Sequence, residues 1–97
     1  MPIYILATKL QNPGLMDRRR EQGQEFLKNI REKVPGIKWI AHYAILGPYD
    51  FLDVFEAKNE HDAAKVSLLS RAAGATFAES WTAIQYSEFL DLVESLK

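Results

Sequence analysis

Two pairs of side chains in this sequence could carry acid–base chemistry, and both lie on neighbouring apolar runs. His42 and Asp53 form one pair, and Tyr43 and Glu56 form the other. A histidine beside a carboxylate can act as a general base near neutral pH. We therefore take His42, Asp53, Tyr43 and Glu56 as candidate catalytic residues. The alternative for His42 is a hydrogen-bonded structural role.

Aromatic and acidic side chains on the predicted strands and turns form a second group of candidates, for binding rather than catalysis. Asp50 lies in a predicted turn, where it can bond the backbone or transfer a proton. Glu79 shares a strand face with Phe77 and Trp81, and a buried glutamate there needs a polar partner. The candidate ligand-binding residues are Trp39, Tyr43, Tyr49, Asp50, Glu79 and Trp81. Packing is the alternative role for both tryptophans.

Composition excludes several other classes of site. The 97 residues include no cysteine, which excludes disulfides, thiolate metal sites and cysteine nucleophiles. No zinc spacing or glycine-rich phosphate loop is present, so we predict neither a metal nor a cofactor. A net charge of −1 argues against nucleic-acid binding. The absence of a leader and of a long apolar run leads us to expect a cytoplasmic protein that does not bind membranes.

The apolar patterns predict seven elements that position these residues. Asn12 and Asn59 are predicted helix caps, and Gly74 is a predicted helix end. The predicted order is a strand at 3–10, a helix at 15–34, strands at 37–46 and 51–57, a helix at 60–73, a strand at 75–86 and a short terminal helix. Because isolated helices of fewer than ~12–15 residues are marginal in water, the segment 86–97 must dock on something.

A tight turn at residues 47–50 joins the second and third strands. Gly47 permits positive φ in such a turn, and we suppose that Leu46 pairs with Phe51 across it. Alternation then gives one face with Trp39, Ala41, Tyr43, Ile45, Leu52, Val54 and Glu56, and another with Ile40, His42, Ala44, Leu46, Phe51, Asp53, Phe55 and Ala57. The face that lines a cavity holds the candidate site.

The element order predicts an α+β fold of the ferredoxin-like β-α-β-β-α-β type with a C-terminal helix, as a single domain over residues 1–97. Right-handed crossovers place both long helices on one face of a four-stranded antiparallel sheet. Large apolar residues also occupy the other face, and uncovered apolar surface marks an interaction site. We therefore predict a homodimer or higher homo-oligomer through that face, as a dimeric α+β barrel.

Several motifs resemble those of the GYD-domain family. They are the turn Gly47-Pro48-Tyr49-Asp50-Phe51, Glu56-Ala57, Tyr4-x-Leu6, Ala73-Gly74 and Glu79. The turn is also similar to that of the Lrp/AsnC ligand-binding domain, although no helix-turn-helix precedes it here. The resemblance implies a dimeric α+β barrel with no established chemistry.

Three functions are consistent with these residues. The first is a small oligomeric ligand-binding or assembly domain, holding a small apolar or aromatic-acid ligand. The second is a cofactor-independent enzyme, of the monooxygenase or isomerase type, acting on a small carbonyl or aromatic compound. The third is a structural oligomer without a cavity. Fold does not choose among them, because one fold hosts many functions.

Overall fold

An antiparallel four-stranded sheet organises the computed structural model, which describes residues 1–10 and 19–97. The elements are β1 (Ile3–Leu10), α1 (Arg19–Lys33), β2 (Lys38–Ala44), β3 (Phe51–Glu56), α2 (Glu60–Ala72), β4 (Ala75–Ala83) and α3 (Tyr86–Ser95). The strands lie in the order β2-β3-β1-β4. The predicted ferredoxin-like α+β fold is confirmed. The predicted cap at Asn12 and helix residues 15–18 lie outside the described residues.

Local signals set most of the element ends. Gly36 after α1 and Gly74 after α2 have φ of +98° and +111°, where a side chain is disfavoured. The side-chain oxygen of Asn59 accepts a hydrogen bond from the Asp62 N–H at 3.0 Å, which confirms the predicted cap of α2. The strands β2 and β4 end earlier than predicted, at Ala44 and Ala83.

One face of the sheet, the helix-covered face, holds the hydrophobic core. Leu6 and Phe55 point from it toward α1 and α2, and Ile30 and Val66 of these helices are fully buried. Small Ala63 lets α2 lie close to the strands, since it adds little bulk between helix and sheet. The core comprises Tyr4, Leu6, Ile30, Phe55, Ala57, Ala63, Val66 and Ala78.

The opposite face, the open face, is not covered by any described helix. Its residues alternate with those of the core along each strand, as the period of two requires. The register places on it Ile3, Ile5, Ala7, Lys9, Lys38, Ala41, Tyr43, Leu52, Val54, Glu56, Phe77, Glu79, Trp81 and Ala83. As predicted, a largely apolar surface lies on the side away from the two long helices.

A β-bulge at Ile40 changes the predicted faces of β2. The register shifts between Trp39 and Ala41, so that Trp39 lies opposite Phe55 on the helix-covered face. The prediction that Trp39 shares a face with Tyr43 is therefore wrong. An extra residue in one strand reverses the alternation on one side of it, and the sequence pattern does not reveal that residue.

The C-terminal helix α3 makes no contact with another described helix or strand. All its residues are exposed, and the molecule measures 53 Å along its longest axis but 18 Å along its shortest. Within residues 1–10 and 19–97, no helix is long and apolar enough to cross a membrane.

Candidate functional site

The connection between β2 and β3 is wider than the predicted four-residue turn. Phe51 lies opposite Ala44, whereas its predicted partner Leu46 is fully exposed. The Ile45 N–H donates to the Asp50 carbonyl oxygen at 2.9 Å and closes the loop. The prediction that Leu46 pairs with Phe51 is therefore wrong, because the reversal takes two more residues than a tight turn.

Asp50 fastens this loop to β1. Its N–H donates to the carbonyl oxygen of Thr8 at 2.9 Å, and its Oδ2 accepts from the Leu10 N–H at 2.8 Å. The Asp50 side chain thus bonds the backbone of β1 rather than that of its own turn, where the bond was predicted. Gly47 does not adopt the positive φ that glycine permits, since the wider loop does not require the left-handed region there.

The loop brings Tyr49 over the open face and into contact with β4. Its ring centroid lies 5.4 Å from those of both Phe77 and Trp81. We call Tyr49, Phe77 and Trp81 the Tyr49 cluster. The Lys9 Nζ lies 6.0 Å from the Tyr49 ring centroid, and a cation over an aromatic face is attracted by its quadrupole. Ala7, on the same face, is fully buried.

Glu79 and Trp81 adjoin each other at the edge of this cluster. The Trp81 Nε1–H donates to Glu79 Oε1 at 2.9 Å, and Glu79 is exposed. Glu79 therefore keeps its charge in contact with water. Of the predicted ligand-binding residues, the structure brings Tyr49, Asp50, Glu79 and Trp81 to one side of the open face.

Tyr43 and Glu56 occupy the other half of the open face but do not form the predicted pair. Tyr43 lies opposite Leu52, and Glu56 lies opposite Lys38 at the far end of β2. The pair Ala41–Val54 separates them. Tyr43 is 61% exposed, so that half of the face presents an aromatic ring to solvent.

His42 and Asp53 share a face of the sheet, as predicted. They are direct cross-strand neighbours on the helix-covered face, whereas the predicted register places His42 opposite Phe55. The His42 Nδ1 contacts the Asp53 Oδ1, and the His42 ring stacks on Phe51 with centroids 5.8 Å apart. The Asp53 side chain is 7% exposed, whereas that of His42 is 70% exposed. A buried carboxylate that orients an exposed imidazole is chemically suited to proton transfer.

Trp39 lies far from the other binding candidates, in the margin of the core. Its ring centroid lies 5.4 Å from that of Phe55 and 6.1 Å from that of Phe26. Its indole Nε1 is buried without a hydrogen-bond partner in the described part of the chain. Sequence reasoning also missed Lys9, whose even spacing from Ile5 and Ala7 would have placed it on the open face.

A groove of about 460 Å³ runs along the outer edge of β4 beside α2. Small residues such as Ala63, Ala64 and Ser67 line it, together with exposed Leu68. Neither His42 nor Glu56 borders this groove. Among the described residues, no group of three His, Cys, Asp or Glu side chains could hold a metal ion.

Comparison with known proteins gives one curated relative over the full chain. The glutamine synthetase and cystathionine beta-lyase binding protein of Thermus thermophilus is 30% identical over 103 aligned positions, covering 100% of both chains. The profile of the GYD domain matches residues 4–93.

Two solved structures share the fold. MtbAldR aligns with a TM-score of 0.58 and 18% identity over 86% of this chain, which spans only 51% of MtbAldR. FFRP-DM1 aligns with a TM-score of 0.56 and 15% identity, over 87% of this chain and 100% of its own. Both contain ferredoxin-like Lrp/AsnC-type domains, which confirms the predicted distant similarity of fold. The match of the GYD profile to nearly the whole chain shows that this protein belongs to the GYD domain family.

Proposed function

We propose that this protein is an assembly domain. Two copies pack the open faces of their sheets together, and the assembly binds another folded protein. The observation that carries this proposal is the open face itself, a sheet surface rich in aliphatic and aromatic side chains that no described helix covers.

Burial of apolar surface favours this association. Two sheets packed face to face lie ~10 Å apart with their side chains interdigitated, and each square ångström of apolar surface removed from water contributes about 25 cal/mol. Val54 and Leu52 in the middle of the face are only half-buried in one copy. Contact with a second copy would complete their burial.

The loop that carries Tyr49 makes the open face a contact surface rather than the wall of a closed cavity. Tyr49 packs on Phe77 and Trp81 instead of closing over a polar cavity. Between two sheets, this cluster offers aromatic walls with Lys9 and Glu79 at its margin. A small aromatic acid is the ligand class that such a site would accept, with the carboxylate directed toward Lys9.

The relative from Thermus thermophilus supports a protein partner. It is named for binding two proteins, glutamine synthetase and cystathionine beta-lyase, and it matches this chain from end to end. We extend to this chain the coarser property, binding of another folded protein. We expect the assembly to work in the cytoplasm without a metal, a cofactor, nucleic acid or membrane.

A matched pair of leucine substitutions tests the interface. Leu52→Glu places a charge on the open face, and Leu68→Glu places the same charge on exposed α2. Light scattering after gel filtration should give twice the 11.1 kDa chain mass for the wild type and for Leu68→Glu, but one chain mass for Leu52→Glu. Tyr43→Lys, at a more exposed position, repeats the test in a chain that keeps its fold.

Two results would overturn the proposed interface. One is a wild-type protein that stays at 11.1 kDa at every concentration. The other is dissociation by Leu68→Glu but not by Leu52→Glu, which would move the interface to the groove beside α2. Circular dichroism of each variant separates dissociation from unfolding.

Proton-transfer catalysis is a second candidate function, and the contact between His42 and Asp53 favours it. In this function, Asp53 orients the imidazole, and the exposed ring takes a proton from a small carbonyl or aromatic substrate. A panel of such compounds, assayed with wild type, His42→Gln and Asp53→Asn, tests it. Turnover that both variants lower at least tenfold supports it, and equal turnover in all three proteins excludes this pair.

A further inference from the structure

The helix α3 has an apolar side that no other helix or strand within residues 1–10 and 19–97 contacts. Apolar residues recur at i, i+3, i+6, i+7 and i+10 and form one continuous stripe, which we call the α3 stripe. Exposure of these side chains runs from 39% for Val93 to 86% for Leu96. The α3 stripe consists of Tyr86, Phe89, Leu92, Val93 and Leu96.

Little within α3 stabilises it as an isolated helix. It has 10 residues, and its N-cap residue Gln85 makes no side-chain capping hydrogen bond. The ion pair between Lys97 and Glu94, at 3.1 Å, is exposed to solvent and therefore stabilises the helix little. A helix this short needs tertiary burial of its apolar side to persist in water.

The chain's own sheet does not supply that burial. Only Ile84 and Gln85 separate α3 from β4, and the helix leads away from the end of the strand. The helix-covered face is already occupied by α1 and α2. One chain therefore carries an uncovered helix and an uncovered sheet face that do not contact each other.

We propose that α3 is an exchanged arm, whose stripe packs on the open face of a second copy while the second α3 packs on the first. This inference rests on the proposed pairing of open faces and names a further part of that contact. Exchange of one element between identical chains satisfies both surfaces at once, because a two-fold axis makes the contact reciprocal.

The receiving surface is the half of the open face formed by β2 and β3, so that the two sheets meet each other through the halves formed by β1 and β4. The Tyr49 cluster already overlies the half formed by β1 and β4. The β2–β3 half has no such cover, and it presents Ala41, Tyr43, Leu52 and Val54. Ala41 lies between larger neighbours, so a ridge of α3 can approach the strands there.

The surface that docking of α3 would bury is large enough to contribute to a stable dimer. Each docked stripe would remove on the order of 400 Å² of its own surface from water and cover a similar area of the receiving face, so that each partner contributes roughly the ~800 Å² of a standard interface. The remaining side of α3 carries Glu88, Asp91 and Glu94, which stay in solvent when the stripe is buried.

Matched glutamate substitutions on the two sides of α3 test the arm. Leu92→Glu lies in the α3 stripe, and Ser95→Glu lies on the acidic side of the same helix. Sedimentation equilibrium should show the dimer Kd raised at least tenfold by Leu92→Glu and changed less than twofold by Ser95→Glu. Equal Kd values for wild type and Leu92→Glu would overturn the exchange.

Because the natural chain has no cysteine, single cysteines report the contact cleanly. One chain carries Val93→Cys, the other carries Ala41→Cys with a size tag, and a short thiol crosslinker is added to the mixture. The expected product joins one chain of each kind. Crosslinking only between like chains, or no crosslinking in a mixture that sediments as dimer, would place α3 elsewhere and overturn the inference.

The two proposals fail in different ways. If Leu52→Glu dissociates the dimer and Leu92→Glu does not, the proposed pairing of the sheets stands and the proposed exchange of α3 is overturned. An unchanged dimer in both variants would remove both proposals. Dissociation by both, with the mixed crosslink formed, supports both.

Discussion

The two faces of the single sheet differ in how completely their side chains are buried, although both are built from the same strands. On the helix-covered face, Leu6 is 1% exposed and Phe55 is fully buried. On the open face, their strand neighbours Ile5 and Val54 remain half-buried, and Tyr43 is 61% exposed. Alternation alone separates these environments, since adjacent residues point to opposite sides.

The difference shows which face folds the chain and which is left for contact. On the helix-covered face, serine hydroxyls at the contact between α2 and β4 are satisfied internally. The Ser67 and Ser80 hydroxyls lie 2.6 Å apart, and the Ser80 hydroxyl donates to the Ala63 carbonyl oxygen at 2.8 Å. The open face instead combines apolar strands with Lys9 and Glu79 at one margin. This is the composition of an interface with a polar rim.

The strongest test of the comparison replaces two neighbouring residues of β3 by alanine, one on each face of the sheet. Phe55→Ala should lower the free energy of unfolding by about 3–5 kcal/mol, because it leaves a cavity in a closed core. Val54→Ala on the open face should cost less than about 1 kcal/mol in the dilute chain. Denaturant titration at two protein concentrations measures both. If Val54→Ala lowered the free energy of unfolding at low protein concentration by more than Phe55→Ala does, the distinction between the two faces would be contradicted.

A second test addresses the polar pair on the helix-covered face. His42→Ala should lower the free energy of unfolding by about 1–3 kcal/mol, because it takes a partner from the buried Asp53 carboxylate. A double-mutant cycle with Asp53→Ala should give a coupling of at least about 0.5 kcal/mol. His61→Ala, at an exposed histidine in the first turn of α2, is the control and should change nothing measurable.

Tyr49→Ala tests whether the loop belongs to the open face. Loss of its contacts with Phe77 and Trp81 should cost about 1–2 kcal/mol, since each aromatic pair contributes ~0.5–1.5 kcal/mol. Tyr86→Ala, which removes a 73% exposed tyrosine from α3, is the control in the dilute chain. Equal losses in thermal unfolding would show that the Tyr49 cluster does not hold the loop.

The smallest expected effect concerns Glu79. Glu79→Gln keeps an acceptor for the Trp81 indole and should change the stability of the dilute chain by less than about 0.5 kcal/mol. Trp81 fluorescence during denaturation follows the change directly. A loss of more than about 1 kcal/mol would show that the Glu79 carboxylate contributes more to folding stability than its exposed position predicts.

Local patterns in the sequence predicted much of this architecture. The capping amide of Asn59 and the positive φ of Gly74 follow from the chemistry of single residues. The common face of His42 and Asp53 was also predictable, because a shift of the register by two residues keeps the alternation, but their direct pairing was not. The face on which Trp39 lies and the width of the turn were not predictable. One inserted residue in β2 and two extra residues in the loop leave no signal in the periodic pattern.

The sequence by itself determined the order of elements and the apolar character of both sheet faces, because spacing of side chains is a property of the local backbone. Only the tertiary structure decided which face the helices cover, where β2 bulges, that Tyr49 reaches β4 and that α3 leaves its own sheet uncovered. These features depend on contacts between residues far apart along the chain, and such contacts are selected by packing of the whole sheet rather than by any single segment.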